Sequence, residues 1–263
     1  MTFLLLSIAL AGATVFVARP AFVSDPRVPV AFGDSRALVA VFPAYLAITL
    51  LIGLDFALAA MLALALRELG QVVGYRLAGH DDAQFRLIPL PGGPRASARA
   101  PDSTLAAAFI LLMGAGFGLA PMVAGAALGE AAGEMAPALA QTARTYALAA
   151  GAVNFVLLLP IWPLPGGQFL RLAIEARAPR LGGPGAALLA AFVIGLSLSL
   201  HSISLLLIGG IGALALIAAK DTPPARARLG KGSLWLAMSA YLATLAAYAL
   251  AGAWVIWLIP VVG

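Results

Sequence analysis

Residues 103–128 read STLAAAFILLMGAGFGLAPMVAGAAL, a stretch of 26 residues without a charged side chain. Residues 234–260 form a second stretch of this kind. About 20 consecutive apolar residues are enough for a helix to cross the hydrocarbon core of a bilayer. Across the chain, 62% of the 263 residues are hydrophobic and 10% are charged, whereas about a quarter of an ordinary soluble domain is charged. The sequence therefore predicts an all-α polytopic membrane protein and excludes a water-soluble globule.

Apolar stretches separated by polar breaks predict about seven or eight transmembrane helices in a single membrane domain, residues 1–263. The longest polar segment, 79–102, is too short for a soluble domain, and FRLIPL at 85–90 predicts a short strand or a re-entrant segment. Residues 1–19 resemble a signal peptide in length but lack a basic start, which favours a retained first span. A short helix is expected at 168–177. The predicted spans lie at 3–18, 37–53, 56–78, 103–128, 146–160, twice within 186–219, and at 234–260.

The few basic residues predict the orientation of these spans. Four loops, 19–36, 67–102, 168–184 and 220–232, contain 15 of the 16 basic residues, and only Arg144 lies on the opposite side. Because cytoplasmic loops are enriched in Lys and Arg, we expect these loops in the cytoplasm and the N-terminus outside. The last span would then place its tryptophans, Trp254 and Trp257, in an outer aromatic belt.

Composition also excludes several kinds of site. The chain has no cysteine and two histidines, so it offers no disulfide, no thiolate metal site and no all-histidine zinc site. The net charge of +5 comes from dispersed residues, so we expect no nucleic-acid partner. Frequent Ala and a preference for Arg over Lys are typical of a bacterial source, and the expected location is the bacterial inner membrane.

Two segments contain residues typical of a functional site rather than of membrane crossing alone. The first reads ALRELGQVVGYRLAG at 65–79 and is followed by FRLIPLPGG at 85–93. The second reads LLPIWPLPGGQFLR at 158–171. Both contain PLPGG, at 89–93 and 163–167. The flanking residues do not match, which indicates shared loop chemistry rather than an internal repeat.

At these residues the chain resembles the site-2 protease family of intramembrane zinc metalloproteases. In that family a membrane helix ends in HELGH, a hairpin follows, and a later helix carries a motif of the type LLPIPPLDGGR. RELGQ at 67–71 matches the first motif and 158–171 matches the second, and the resemblance covers about residues 56–175. It implies a site-2-protease-like core over about 56–219 with a short re-entrant or hairpin segment. The further spans are those at 3–18, 37–53 and 234–260.

The resemblance also implies a groove, lined by the two PLPGG segments, that accepts a transmembrane segment. Irregular backbone persists at membrane depth only where protein or a water-filled cavity satisfies its polar groups. An alternative interpretation is that both segments are only turns that determine the fold. The groove candidates for a partner or substrate are Pro89, Leu90, Pro91, Gly92, Gly93, Pro163, Leu164, Gly166 and Gly167.

The positions that the resemblance assigns to the zinc ligands do not carry ligands. They are Arg67, Gln71 and Pro165. A guanidinium is a permanent cation without a lone pair to offer, a Gln amide oxygen is a poor zinc ligand, and Pro has no donor side chain. Glu68, which matches the residue that activates zinc-bound water, is the only one retained. We therefore expect no intact catalytic residue, no metal and no cofactor.

The role of Arg67 is open between two main interpretations. In the first, Arg67 snorkels to the interface and Glu68 pairs with a loop cation. In the second, Arg67 replaces the metal as a fixed positive charge and binds Glu68 or backbone carbonyls of residues 160–167 by charge-assisted hydrogen bonds. A new catalytic role is a third and less favoured interpretation.

Other polar residues leave further alternatives. Glu68, His80 and His201 could form a relocated metal site. The favoured alternatives are that His80 lies in a solvated loop and that His201 makes a hydrogen bond to a neighbouring helix. Asn154 is expected to make a hydrogen bond in helix packing. A small-solute transporter should have several ionisable residues within its spans, but few are present outside Arg67, Glu68 and Asp55.

The sequence thus favours a pseudoenzyme. We expect a catalytically inactive, site-2-protease-like membrane protein that binds a transmembrane protein partner, or is an accessory subunit of a membrane complex. The alternatives are an active intramembrane metalloprotease with a non-standard metal site and a small-solute transporter. Beyond the partner protein, the expected partner is the lipid bilayer.

Overall fold

The computed structural model describes residues 2–23, 27–31, 35–86, 96–218 and 230–258. Its α-helices are α1 (Thr2–Ala18), α2 (Ser35–Leu51), α3 (Leu54–Leu77), α4 (Thr104–Phe117), α5 (Leu119–Ala132), α6 (Pro137–Leu158), α7 (Pro165–Glu175), α8 (Gly182–Ser199), α9 (Ile203–Ala218) and α10 (Lys231–Gly252). Short 3₁₀ segments lie at Arg19–Phe22, Pro179–Leu181 and Ala253–Trp257. The strands are β1 (Val30–Ala31) and β2 (Phe85–Arg86).

Five helical stretches within the described residues are long and apolar enough to cross a membrane. They are Phe3–Phe22, Leu54–Leu77, Thr104–Ala132, Pro179–Ser199 and Gly232–Trp257. The apolar parts of α2 and α9, Phe42–Leu51 and Ile203–Ile217, are shorter. The prediction of an all-α membrane protein is confirmed, whereas these five stretches are fewer than the seven or eight predicted spans.

Helix α6 lies at the centre of the bundle, where it packs against α3, α5 and α10. It begins nine residues before the predicted span at 146–160, because its first half is polar and contains Gln141 and Arg144, which are both exposed. Half of its residues are buried, and most of these lie in the second half. The start of the apolar stretch therefore does not mark the start of this helix.

Glycines allow the helices around α6 to approach closely. A Cβ atom at Gly252 of α10 would lie within 3 Å of the Gly151 backbone of α6. Gly70 of α3 is equally tight, since its Cβ would lie 2.5 Å from the Met113 carbonyl oxygen and from Phe117 Cβ of α4. Small residues at such crossings replace hydrophobic burial as the source of helix association in lipid.

The end of α3 is attached to the segment that follows α1. β1 and β2 pair in parallel, with Val30 opposite Phe85. Arg76 Nη2 donates a hydrogen bond to the Arg27 carbonyl oxygen at 2.5 Å, and Nη1 donates to that of Ala21 at 3.4 Å. The described parts of the loops 19–36 and 67–102 therefore lie on the same side of the bundle, as their basic residues predict.

The stretch 186–219 forms two helices, α8 and α9, as predicted. His201 lies in the turn between them with a φ of 49°, and its side chain is exposed. The expected mid-span hydrogen bond of His201 is therefore wrong. Ser202 is buried instead, and its hydroxyl donates to the Ile256 carbonyl oxygen in the 3₁₀ segment after α10.

We predict that Gly70→Ala lowers the thermal unfolding midpoint of the protein in mild detergent. The added methyl group has no space against α4, and overpacking of this kind costs about 1–3 kcal/mol. Gly195→Ala in α8 is the matched control, because nothing lies within 4 Å of its Cβ position. Ala at that position leaves the midpoint unchanged or raises it. Equal midpoints for the two variants would contradict the described α3–α4 packing.

Candidate functional site

The first motif lies in the second half of α3, deep in the bundle. Arg67 and Glu68 are buried, with 5% and 3% of their surface exposed. Arg67 precedes the end of α3 by ten residues, which is about 15 Å along the helix axis. Gln71 is half-buried, and its side chain packs on Gly114 of α4. Arg67 and Glu68 thus lie inside the bundle rather than at its surface.

Glu68 forms a buried ion pair with Arg86 of β2. Arg86 Nε donates to Glu68 Oε1 at 3.0 Å, and the two side chains are 16% and 3% exposed. The interpretation that Glu68 pairs with a loop cation is therefore confirmed. Arg86 brings a charge from the loop into the bundle, where a carboxylate without a counter-charge would be strongly unfavourable.

Arg67 agrees with neither main interpretation of the sequence. It does not reach the interface, because its guanidinium is buried. Its Nε and Nη2 atoms have no hydrogen-bond partner among the described residues, which include Glu68 and the carbonyls of residues 160–167. Successive residues of an α-helix point about 100° apart, so Arg67 and Glu68 face different neighbours.

Arg67 belongs to a group of buried polar side chains that we call the interior polar cluster: Arg67, Tyr146, Asn154 and Tyr248. Tyr248 of α10 interacts electrostatically with Arg67 and with Tyr146. Its hydroxyl donates to the Ala115 carbonyl oxygen of α4 at 2.5 Å. The Tyr248 hydroxyl and the Asn154 amide nitrogen both lie within 4 Å of the Cβ position of Gly118. Helices α3, α4, α6 and α10 meet at this cluster.

Two further members of the cluster carry buried atoms that lack partners. Within the part of the chain that the structure describes, neither Tyr146 Oη nor Asn154 Oδ1 has a hydrogen-bond partner. Asn154 Nδ2 donates to the Ala150 carbonyl oxygen of its own helix at 3.0 Å, so the expected hydrogen bond between helices is not made. Buried polar atoms are nearly always hydrogen-bonded, which makes this concentration unusual.

The second motif forms the turn from α6 to α7. Pro165 is the first residue of α7, so the helix begins three residues before the predicted 168–177. Cβ atoms at Gly166 and Gly167 would lie within 3 Å of the backbone of residues 158–161. This close packing explains the two glycines as fold-determining turn residues, while Pro163 and Leu164 are half-buried and stay groove candidates.

Contacts with α10 hold the second motif in place. The Tyr241 hydroxyl donates to the Leu158 carbonyl oxygen at 2.7 Å, and the Tyr241 ring stacks on Phe169 with 4.8 Å between centroids. Helices α3 and α7 both pack on α4. The first PLPGG segment, residues 89–93, lies outside the described residues, so its role stays a prediction.

The loop after α3 forms a second polar group, the loop clasp, made of His80, Asp82, Ser97 and Arg99. The Ser97 hydroxyl donates to Asp82 Oδ2 at 2.9 Å and lies 3.1 Å from His80 Nδ1. Arg99 Nη2 lies 3.3 Å from Asp82 Oδ1. His80 is buried, so the solvated loop expected for it is wrong. In a hydrolase triad the histidine lies between serine and aspartate, whereas here the serine does, which indicates a structural role.

The relocated metal site is wrong. Glu68 is paired with Arg86, His80 belongs to the loop clasp, and His201 is exposed in the α8–α9 turn. Among the described residues, no three His, Asp or Glu side chains form a group that could hold a metal ion.

Comparison with known proteins yields no family for this chain. No protein-family model matches it, and neither a curated protein nor a solved structure matches it. The resemblance to site-2 proteases therefore rests on the residues of the two motifs and stays a prediction.

Sequence reasoning missed the residues that complete the site. Arg86 was part of a basic loop, and Tyr146 and Tyr248 were single hydroxyls in helical stretches. A tyrosine inside an apolar stretch signals a buried hydrogen bond, and for Tyr248 that signal was present. No local pattern pairs Arg86 with Glu68, because their contact joins a loop to a helix 18 residues earlier.

We predict that Arg86→Met destabilises the protein by about 3–5 kcal/mol, because it leaves Glu68 buried without its counter-charge. Unfolding in mild detergent measures the loss. The double variant Glu68→Gln/Arg86→Met recovers most of it. Arg99→Met is the matched control, since it breaks an ion pair with side chains 62% and 36% exposed and costs about 1 kcal/mol or less. Equal losses for the two single arginine variants would contradict the buried pair.

We predict that acid opens the loop clasp. Partial burial acts to raise the pKa of Asp82, but hydrogen bonds from Ser97, the Ala98 N–H and Arg99 outweigh it and lower this pKa below its ordinary value. The clasp is therefore intact above about pH 4, the unfolded value, and is lost as the pH falls through the lower folded pKa. Amide exchange at residues 97–99, corrected for its intrinsic pH dependence, measures this opening.

Asp82→Asn should speed that exchange already at neutral pH. Asp81→Asn is the control, because Asp81 is exposed beside the clasp. Exchange that responds equally to both substitutions would mean that Asp82 does not hold the loop.

Proposed function

We propose that this chain is a catalytically inactive, site-2-protease-like membrane protein that binds a transmembrane partner or is an accessory subunit of a membrane complex. The observation that carries the proposal is the state of Glu68. It is the one residue retained from the catalytic motif, and Arg86 binds its carboxylate at 3.0 Å inside the bundle.

The ion pair argues against a general-base role for Glu68. Activation of a metal-bound water requires a carboxylate that is free to accept a proton next to the metal. A carboxylate that is buried against one guanidinium is occupied as a structural partner and is not free for this role. Arg67, Gln71 and Pro165 supply no zinc ligand, for the chemical reasons given above.

Partner binding is proposed in place of catalysis because the chain keeps the segments that line a substrate groove in the resembled family. Pro163 and Leu164 stand beside the buried Gly166 and Gly167, which fix their backbone against residues 158–161. Such a rigid turn can present an apolar edge to a transmembrane helix.

The proposal includes seven or eight spans in a bacterial inner membrane, with the basic loops in the cytoplasm. Three observations support this finer topology. Helices α2 and α9 are 17 and 16 residues long and contain shorter apolar parts, α6 is 22 residues long, and the pairing of β1 with β2 joins two loops that carry basic residues.

The proposal is tested on the full chain purified in mild detergent. We expect no stoichiometric zinc, measured by elemental analysis, and no cleavage of transmembrane peptides by the wild type or by Glu68→Gln. Stoichiometric zinc together with cleavage that Glu68→Gln abolishes would overturn the proposal in favour of an active metalloprotease.

Partner binding is tested in native membranes with a photo-crosslinker at position 164. We expect a cross-link to an uncleaved membrane protein with a transmembrane helix. A crosslinker at Leu188 of α8, which is exposed on the bundle surface, is the control for random lipid-phase encounters. The same products at both positions would exclude a specific groove at Leu164.

One observation favours the second candidate, a small-solute transporter. The interior polar cluster places unpartnered hydrogen-bonding atoms in the middle of the bundle, and polar groups at that depth are typical of substrate paths.

A further inference from the structure

We propose that the interior polar cluster is a carboxylate-binding site at membrane depth, in which the Nε–Nη2 edge of Arg67 binds the two ligand oxygens. The carboxylate comes either from an acidic side chain of a transmembrane partner or from a small free acid. With the first source, the inference rests on the proposed function and names the chemistry of the partner.

The first argument is the geometry of Arg67. Nε and Nη2 point in the same direction along one edge of the guanidinium plane, and this edge binds a carboxylate through two parallel hydrogen bonds. Both atoms are buried, and neither has a partner among the described residues. The unpartnered atoms thus make up one complete binding edge.

The second argument is the local charge. Arginine stays protonated in proteins, so Arg67 cannot lose its charge in response to burial. Glu68 attracts Arg67, but this single carboxylate is shared with Arg86, which hydrogen-bonds to it. Asp82 pairs with Arg99 and Glu175 with Arg171. The centre of the bundle therefore has one uncompensated positive charge, which a monoanion balances.

The third argument is the other polar groups of the cluster. The Tyr146 hydroxyl has no partner within the described part of the chain, which leaves a second unused donor in the cluster. The absence of a side chain at Gly118 lets the polar tips of Tyr248 and Asn154 approach α4 closely. A Cβ at that position would lie 2.8 Å from the Tyr248 hydroxyl and 3.5 Å from the Asn154 amide nitrogen.

The depth of the site selects a carboxylate over a phosphate. Arg67 lies about 15 Å from the end of α3, which is about half the thickness of the hydrocarbon core. Lipid phosphates stay at the headgroup level, whereas an Asp or Glu side chain in the middle of a transmembrane helix reaches this depth. A single positive charge also matches a carboxylate better than a phosphate dianion.

The test uses the full chain in phosphatidylcholine nanodiscs and two peptides. Both are 20-residue Leu/Ala transmembrane helices, one with a central Asp and the other with a central Asn, and fluorescence energy transfer reports their binding. We expect the Asp peptide to bind about tenfold tighter or more. Arg67→Met abolishes this preference, and Arg67→Lys, which keeps the charge without the planar edge, reduces it.

Two further variants guard against a loss of folding. Gly118→Ala displaces the Tyr248 hydroxyl, which the added Cβ would meet at 2.8 Å, while keeping Arg67, and it should weaken the Asp preference. Arg99→Met removes a charge outside the bundle and should leave it unchanged. Loss of the preference in Arg99→Met would contradict the assignment to Arg67.

The second arm uses carboxyl-labelled hexanoate and follows its infrared carboxylate band. A band shift that Arg67→Met removes, with equal binding of the two peptides, assigns the site to a small free acid. Peptide discrimination without a hexanoate shift assigns it to a partner side chain. If neither probe depends on Arg67, the site does not bind carboxylates and the inference is overturned.

Zinc-dependent cleavage would overturn the proposed function alone, because peptide discrimination is measured independently of it.

Discussion

The structure depends on one constraint: a charge buried among membrane helices must meet its counter-charge inside the protein, because lipid provides none. The Glu68–Arg86 pair meets this constraint for the carboxylate. To do so, the loop after α3 has to turn back into the bundle, and the short β1–β2 pairing fixes its direction. The neighbouring Arg76 ties the end of α3 to the segment after α1. The buried ion pair therefore organises one whole end of the molecule.

Helix α6 takes its central position through its second half. This half is mostly buried among α3, α5 and α10, whereas Gln141 and Arg144 in the first half are exposed. Close contact with α10 requires small residues, and Gly151 and Gly252 provide them. The enclosed part of α6 also carries Asn154, whose buried amide is part of the interior polar cluster.

The sequence predicted the fold class and most helices because a bilayer imposes a simple length and hydrophobicity rule on every span. Helix α6 was predicted too short, because its first half is polar and that rule detects only the apolar part of a helix. Within the site, the burial of Arg67 and the partner of Glu68 depend on contacts between elements, which no local pattern encodes. His80 was predicted in solvent for the same reason, since Ser97 and Tyr75 cover it only after the loop has folded.

Glu68 and Arg67 are neighbours in the chain but differ in how their charges are compensated. Arg86 from a loop hydrogen-bonds to the Glu68 carboxylate. No described acid hydrogen-bonds to Nε or Nη2 of Arg67, which Glu68 attracts only electrostatically. If Arg67 only filled volume in the bundle, an apolar residue would do so at lower free energy, because a buried charge without a bonded counter-charge is far less favourable than a well-packed hydrocarbon. An anion that joined Arg67 would stabilise it in that place. Arg67, which offers zinc no lone pair, is thus the residue of its segment with the most to gain from a ligand.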